Sequence, residues 1–441
     1  MNNWLDRTFR LAANGTTVRR ELLGGATTFM TMSYIIFVQP AVLGVTGMDK
    51  GAVMVATCLA SALATLLTGL LANYPIAQAP AMGHNIFFAV VVCGAMGYSW
   101  QVALGANFLS GLVFVGLALA GVWGKMVAAV PDALKYGIAV GIGLLIALIG
   151  LEYGGIVVDS PGALVALGDL TSRPVLLALF GLALTAVLLV LRFPGAILAG
   201  ILATAAAGVP LGVVEYHGLL APVPSLAPTF LKLDIAGAVE TGLVAVVFVF
   251  FLLDVFDAIG TLIGVGGTGG FLKDGKLPRA DKAMLADAAG TVGGVLLGTS
   301  TVSSYVESVT GIAQGARTGL ANVMTAALFL LALFFSPLAR MVGGEVVSGG
   351  LTLRPVIAPA LVLVGSMMMR CVKFIDWDDL TESIPAFLAI VVMPLTLSIT
   401  EGISFGFISY VLLKLAAGQG RRVHGLIYFF AALFVLRYIL Q

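Results

Sequence analysis

Two aspartates, Asp254 and Asp257, stand inside VFVFFLLDVFDAIGT (247–261), a run otherwise almost wholly apolar and aromatic. A carboxylate there is costly unless it faces a cavity or a bundle interior, and ionisable groups in apolar spans are functional candidates by default. Three residues apart, the two share roughly one helical face. Two ionised carboxylates so close in a low dielectric repel. The pair therefore suits two tasks: one carboxylate binds a ligand's N–H groups, and one, or the same one, carries a proton. The plainer alternative is that one of them caps unwound backbone or bonds a neighbouring helix.

Glu307 is the third buried-carboxylate candidate. The sequence places it one turn into a short helix, where it could accept hydrogen bonds from a ligand's N–H edge. Such a bond to a charged acceptor contributes about 1.5–3 kcal/mol net. The plainer reading is a charge at a helix start, satisfying local N–H groups. In the first half of the chain the corresponding candidates are His84 and Asn85, preceded by Gln78. The Asn85 amide offers both donor and acceptor, which suits an amphoteric heterocycle. Neutral His84 could do the same, or could be structural. Phe29, Phe87 and Phe256 could stack on a flat ring, although most of the 25 phenylalanines must face lipid or core.

The elements that must position these groups are apolar helices. Of 441 residues 60% are hydrophobic and 10% charged, with a mean hydropathy of +1.08, whereas soluble domains are about a quarter charged. Apolar stretches fall near 22–44, 51–72, 82–97, 102–122, 133–150, 174–191, 195–210, 236–264, 284–297, 304–314, 319–338, 355–369, 384–399, 402–416 and 425–440. Several match the roughly 20 residues a helix needs to cross a bilayer. Continuous runs rather than short alternating ones exclude a barrel. The fold class is an all-α polytopic membrane protein. The stretches at 82–97 and 304–314 are short, and each follows an extended piece, NYPIAQAPAMG (73–83) and GTSTVSSY (298–305). Helices broken at the midplane look like this, with their free N–H and C=O groups lining a protected cavity.

Basic residues orient the chain. With the amino terminus cytoplasmic, the outer side receives Lys50, Arg173, Lys232, Arg340, Arg354 and Arg437. The other 17 of the 23 fall inside, as the positive-inside rule requires. The order of a long apolar segment, a second span, an extended piece and a short helix, reached at QAPAMGHN (78–85), repeats from the 236–264 segment to SSYVES (303–308), and seven elements per half invert the second half. Inverted repeats of this kind place substrate at their interface in secondary transporters. The stretch 425–440 is left over, either a further crossing or an interfacial helix.

Other classes are excluded. A net charge of +1 gives no case for nucleic-acid binding. Residues 1–20 carry Asp6, Arg7, Arg10, Arg19 and Arg20 with no apolar core, so they do not read as a signal peptide. Cys58, Cys93 and Cys371 suggest neither disulfides nor a metal knuckle. GFLKDGKL (270–277) nearly spells a phosphate-binding loop, but Leu277 stands where a hydroxyl is needed and no strand precedes it. No metal-ligand cluster or nucleophile–base pair argues for an enzyme, and no cofactor is expected.

GGATTFMTMSYIIFVQPAVLG (24–44), APAMGHNIFFA (79–89), FLLDVFDAIGTLIGV (251–265), TSTVSSYVESVTGIAQGARTGL (299–320) and ESIPAFLAIVVMPLTLSITEGISFGFISY (382–410) closely resemble the AzgA-like branch of the nucleobase–cation symporter-2 superfamily. The resemblance implies a seven-plus-seven inverted repeat with short strands near 75–81 and 299–303. It implies a core domain at 20–122 and 236–338, a gate domain at 133–212 and 352–417, and an additional hydrophobic segment at 425–440. It further implies proton-coupled uptake of adenine, guanine and hypoxanthine across the cytoplasmic membrane by an elevator-like movement, often as a homodimer. Asp257, three before Gly260, would hold the base with Glu307, and Asn85 would influence specificity. Asp254, Asp257 and Glu307 are the proton-coupling candidates. The chain departs from the branch's APGMGLNAYF at Ala81, His84 and Phe87, which bears on purine preference. The alternatives are sodium coupling with shifted specificity (xanthine or uracil), or an anion transporter of the same fold.

Overall fold

The computed structural model describes residues 3–121, 130–160, 162–240, 243–272 and 277–440. The first half runs α1 (Asn3–Phe9), α2 (Val18–Met32), α3 (Ile35–Leu43), α4 (Lys50–Leu67), β1 (Gln78–Pro80), α5 (Met82–Ile86) and α6 (Trp100–Ala120). There follow α7 (Asp132–Tyr153), β2 (Val157–Ser160), β3 (Ala163–Leu167), α8 (Arg173–Val190) and α9 (Ala196–Gly208). The second half begins α10 (Ile235–Glu240), α11 (Val244–Thr268), α12 (Ala280–Leu297), β4 (Val302–Ser304), α13 (Ser308–Ala313), α14 (Leu320–Ala332) and α15 (Ser336–Val342). It ends β5 (Val346–Ser348), β6 (Leu351–Leu353), α16 (Ala358–Met368), α17 (Leu380–Thr396), α18 (Ile399–Ala416) and α19 (Gly425–Leu440). Among the described residues eight helices are long and apolar enough to cross a membrane, from Val18–Thr46 to Ile399–Ala416. The chain is a polytopic helical membrane protein.

Short polar signals set the breaks between apolar runs. Asp49 accepts from the Ala52 N–H at 2.7 Å and so caps α4, and Asp379 accepts from Thr381 N–H at 2.8 Å at the start of α17. Each satisfies a donor that a helix start leaves free. At the other end of α12, Gly298 adopts φ +95°, a conformation that favours glycine, and turns the chain into β4.

By contacts the chain divides into two compact units, Met1–Gly121 with Glu152–Ala360, and Val122–Leu151 with Leu361–Gln441. In the first, β1 and β4 pair antiparallel, Gln78 opposite Ser304, Ala79 opposite Ser303 and Pro80 opposite Val302. The bonds Ala81 N–H to Thr301 O and Tyr305 N–H to Ala77 O, both 2.9 Å, extend the pairing. Pro80 is tolerated because a two-stranded sheet has only edges. β1 lies inside the expected 75–81, and β4 overlaps the expected 299–303, starting three residues later and ending one residue beyond it. Beyond each, a helix restarts: α5, continued by wider turns over Phe87–Ala95, and α13. The hairpins β2–β3 and β5–β6 were not foreseen in the sequence.

Buried polar side chains tie this unit together. Glu21 is fully buried and accepts from the N–H groups of Arg317 (2.8 Å), Thr318 (3.2 Å) and Ala321 (3.2 Å), capping the entry to α14. Asn322 donates to the carbonyls of Thr65 (3.0 Å) and Ile76 (2.8 Å), fixing the end of α4 and the approach to β1. A Cβ at Gly25 would collide with the Ala321 carbonyl, so α2 and α14 cross at backbone contact.

In the second unit, Ala133, Val140, Ile375, Ala386 and Ile390 form a buried apolar cluster. The segment 425–440, left over from the sequence count, is α19. It lays Phe430 and Phe434 against Phe407 at 6.0 and 6.1 Å between ring centres, a separation suited to edge contact.

Candidate functional site

The crossing of β1 and β4, with α11 and α12 beside it, gathers most of the polar residues singled out above. Asp254 on α11 is 1% exposed. Its Oδ2 accepts from Ser110 Oγ at 3.2 Å, and its Oδ1 lies 2.9 Å from His84 Nε2, an ion-pair distance without hydrogen-bond alignment. His84 is equally buried, so the two groups have each other as their main polar company. Asp257, one turn further, is half-buried and has His84, Ser303 and Asp254 as polar neighbours.

Glu307 is half-buried and accepts from Tyr34 OH at 2.9 Å. It does not lie one turn into the short helix as expected. It holds the cap position, and α13 starts at Ser308. The reason is local: Tyr305 still bonds to Ala77 as part of the strand pairing, which delays the first helical turn. A cap-position carboxylate points out from the helix start instead of along its side.

Asn85 is fully buried and its amide is engaged at both ends. Nδ2 donates to Gln39 Oε1 and Oδ1 accepts from Ser300 Oγ. Gln39 in turn donates to Thr299 Oγ1 (2.9 Å) and Ser300 Oγ (3.2 Å). Asn85 thus links α3, α5 and the entry to β4. Phe29 packs edge-on against Phe329 at 5.1 Å, and Phe87 against Phe250 at 4.8 Å. Both are occupied with helix packing. The side chain of Phe256 lies outside the described residues.

Three participants escaped sequence reasoning. Asp287 on α12 is 1% exposed and accepts from Ser304 Oγ (2.9 Å) and Ser304 N–H (3.2 Å). Among the described residues its second oxygen has no donor, and neither does Gln78 Oε1, although Gln78 Nε2 reaches the same Ser304 hydroxyl at 3.3 Å. Tyr34 holds Glu307, and Tyr305 OH donates to Pro80 O at 2.6 Å. The signal for Asp287 is a lone acid in the apolar stretch 284–297, and Asp281 and Lys282 just before it make it look like a polar helix end.

Interrupted helices meeting across a buried strand pair, lined with carboxylates inside apolar spans, define a transporter of small molecules. The transmembrane domain of a cyanobacterium bicarbonate transporter shares this fold. It superposes with a TM-score of 0.62 at 17% identity, over 89% of this chain and 97% of that one, and both have the seven-plus-seven inverted repeat. The chain matches the permease family over residues 19–435 and belongs to it. It is a transporter and not an enzyme, of the nucleobase–cation symporter-2 superfamily that its motifs resemble. A permease of Methanocaldococcus jannaschii is 50% identical, over 99% of this chain and 98% of that protein. An adenine permease of Escherichia coli is 43% identical (99% and 96%), and a guanine/hypoxanthine permease of Bacillus subtilis 43% (98% and 98%).

Proposed function

We propose that this chain carries purine nucleobases into the cell, in symport with a proton. The observation that carries the reading is the pair Asp257 and Glu307, two half-buried carboxylates at the strand crossing with no basic side chain of Lys or Arg bonded to either among the described residues. Adenine and guanine/hypoxanthine permeases as relatives support the substrate class. A purine's N–H edge is complementary to acceptor-only carboxylates. Asp257 and Glu307 bind that edge. Asp254 is held by His84, and the Asn85 network shapes the site from behind. The proton rides on Asp254, Asp257 or Glu307, and an inward charge gains about 2.3 kcal/mol per 100 mV.

The cycle is an elevator-like movement of a core (20–122, 236–338) against a gate (133–212, 352–417), in the cytoplasmic membrane with the amino terminus inside. By contacts, residues 173–208 group with the first compact unit. Their place in the gate is a proposal about movement. A second reading, sodium coupling, draws on the oxygens of Asp287 and Gln78 that have no donor among the described residues, because buried acceptors without donors suit a cation as well as a proton.

The test is uptake of labelled hypoxanthine in competition with adenine, guanine, xanthine and uracil, with and without a protonophore. Adenine, guanine or both should compete and the protonophore should abolish accumulation. Competition by xanthine or uracil alone would remove the substrate assignment. Dependence on sodium with indifference to the protonophore would replace the proton.

A further inference from the structure

At one end of the second compact unit a cavity of about 500 Å³ opens between the end of α18 and the start of α19. Tyr410, Arg421, Arg422 and His424 line it, with Pro131 from the approach to α7. The chain between the helices is short. Gly418 turns with φ +69°, and a single tight turn, Gly420–Arg422, presents the two arginines side by side.

The charge at this end is not balanced locally. The acids around this end are taken by other cations: Lys414 Nζ lies 2.7 Å from Glu382 and 3.6 Å from Asp379, and Lys135 Nζ lies 2.8 Å from Asp132, which follows Pro131. Tyr410 OH also donates to Glu382, at 3.4 Å. Among the described residues neither Arg421 nor Arg422 has a carboxylate within ion-pairing distance, and both side chains are exposed at the cavity. Guanidinium groups are forked donors matched to phosphate oxygens.

The surroundings narrow the kind of phosphate. The cavity sits where α18 ends and α19 begins, in a chain that spans a bilayer. From Gly425 to Leu436 the following helix, α19, is almost wholly apolar, with Tyr428 as its one polar side chain. Ile427 and Phe430 face inward, while Phe429 (60%), Leu436 (51%) and Ile439 (73%) are exposed, as on a helix face that meets acyl chains. A cationic cavity continuous with an apolar helix face is complementary to a molecule with both a phosphate and hydrocarbon tails. We propose that Arg421, Arg422 and His424 bind the headgroup of an acidic glycerophospholipid, whose chains lie along the exposed side of α19. With the amino terminus inside, this end meets the cytoplasmic leaflet, where such lipids impose a negative surface potential.

The proposal rests on the chain's membrane fold and on the amino terminus being inside, and is independent of what the chain transports. Purified protein is placed in nanodiscs of phosphatidylcholine, with or without phosphatidylglycerol, and thermal unfolding and lipid retention by native mass spectrometry are read. Phosphatidylglycerol should raise the wild-type unfolding temperature and be retained. Arg421→Gln with Arg422→Gln should weaken retention by roughly thirtyfold, the product of two basic side chains at a lipid surface. Arg421→Lys with Arg422→Lys should keep most of it. Arg19→Gln with Arg20→Gln, an equal loss of charge elsewhere, should leave it unchanged. Wild type indifferent to phosphatidylglycerol would overturn the proposal even if the glutamine variant failed to fold. So would equal stabilisation by free glycerol phosphate, which would make this a soluble-phosphate site, or equal loss in the Arg19 and Arg20 variant.

Discussion

At the start of α5, after β1, His84 and Asn85 are buried and each contacts protein: His84 meets Asp254, and Asn85 joins Gln39 to Ser300. At the start of α13, after β4, Glu307 is half-buried and accepts one hydroxyl, that of Tyr34. The two half-helices occupy corresponding places in the two repeats, and their strands pair residue for residue. They differ in what their polar side chains have left to offer. A side chain already bonded inside the protein has fewer sites left for a ligand, and breaking such a bond costs about 0.5–1.5 kcal/mol or more. On the proposed function, the first repeat supplies the frame, and the second, with Asp257 from α11, supplies the groups that meet the ligand.

The strongest way to break this division is at Asp257. Asp257→Asn keeps the shape and removes the charged acceptor, which contributes about 1.5–3 kcal/mol per hydrogen bond. Uptake should fall roughly tenfold to a hundredfold at matched expression, with the unfolding temperature held. Normal transport by this variant would remove the assignment. Glu307→Gln should follow with a somewhat smaller loss, since the glutamine oxygen still accepts from Tyr34. Tyr34→Phe, which frees Glu307 without discharging it, should shift apparent affinity more than maximal rate.

Asn85→Ala tests the frame from the other side. It leaves Gln39 Oε1 and the Ser300 hydroxyl short of a partner in a buried setting, at a cost of about 1–3 kcal/mol. The purified variant should melt at a lower temperature, and whatever protein remains folded should retain its order of preference among purines. If it melts like wild type but changes which base competes, the amide faces the ligand during transport and the division between repeats is wrong at this position.

What the sequence made legible was whatever is expensive to bury. Asp254 and Asp257 stood out because carboxylates in VFVFFLLDVFDAIGT need a reason, and the strands were visible as extended, proline- or hydroxyl-rich breaks ahead of short helices. Partner choice was not legible. Nothing in local spacing says that His84 meets Asp254, 170 positions away, or that both ends of the Asn85 amide are occupied, because these follow from how β1 and β4 cross. Glu307 was recognised as a residue but placed a turn too deep, since the bond from Tyr305 to Ala77 that delays α13 is a contact between repeats. Phe29 and Phe87 show the same limit. Their rings were evident, and only the packing partners Phe329 and Phe250 give them a use.

The smallest effect concerns a charged group far from the strand crossing, and it sharpens the contrast between free and engaged carboxylates. Glu345, between α15 and β5, accepts from Lys50 Nζ at 2.9 Å and from Arg354 Nη2 at 3.2 Å. The Lys50 hydrogen bond, aided by both positive charges and opposed by partial burial, holds its carboxyl below the usual carboxylate value. A carboxyl lowered in the folded state stabilises that state above its unfolded value, and the stabilisation is lost as pH falls through the folded value. Acidification from neutral pH through and below the ordinary glutamate range should therefore lower the unfolding temperature. Glu345→Gln should flatten that slope while changing little at neutral pH, because the pair is substantially exposed (39% and 38%) and water screens it. Uptake at neutral pH should be unaffected. A variant that lost transport there would mean that the Lys50–Glu345–Arg354 bridge belongs to the working machinery, and engaged carboxylates could no longer be read as frame alone.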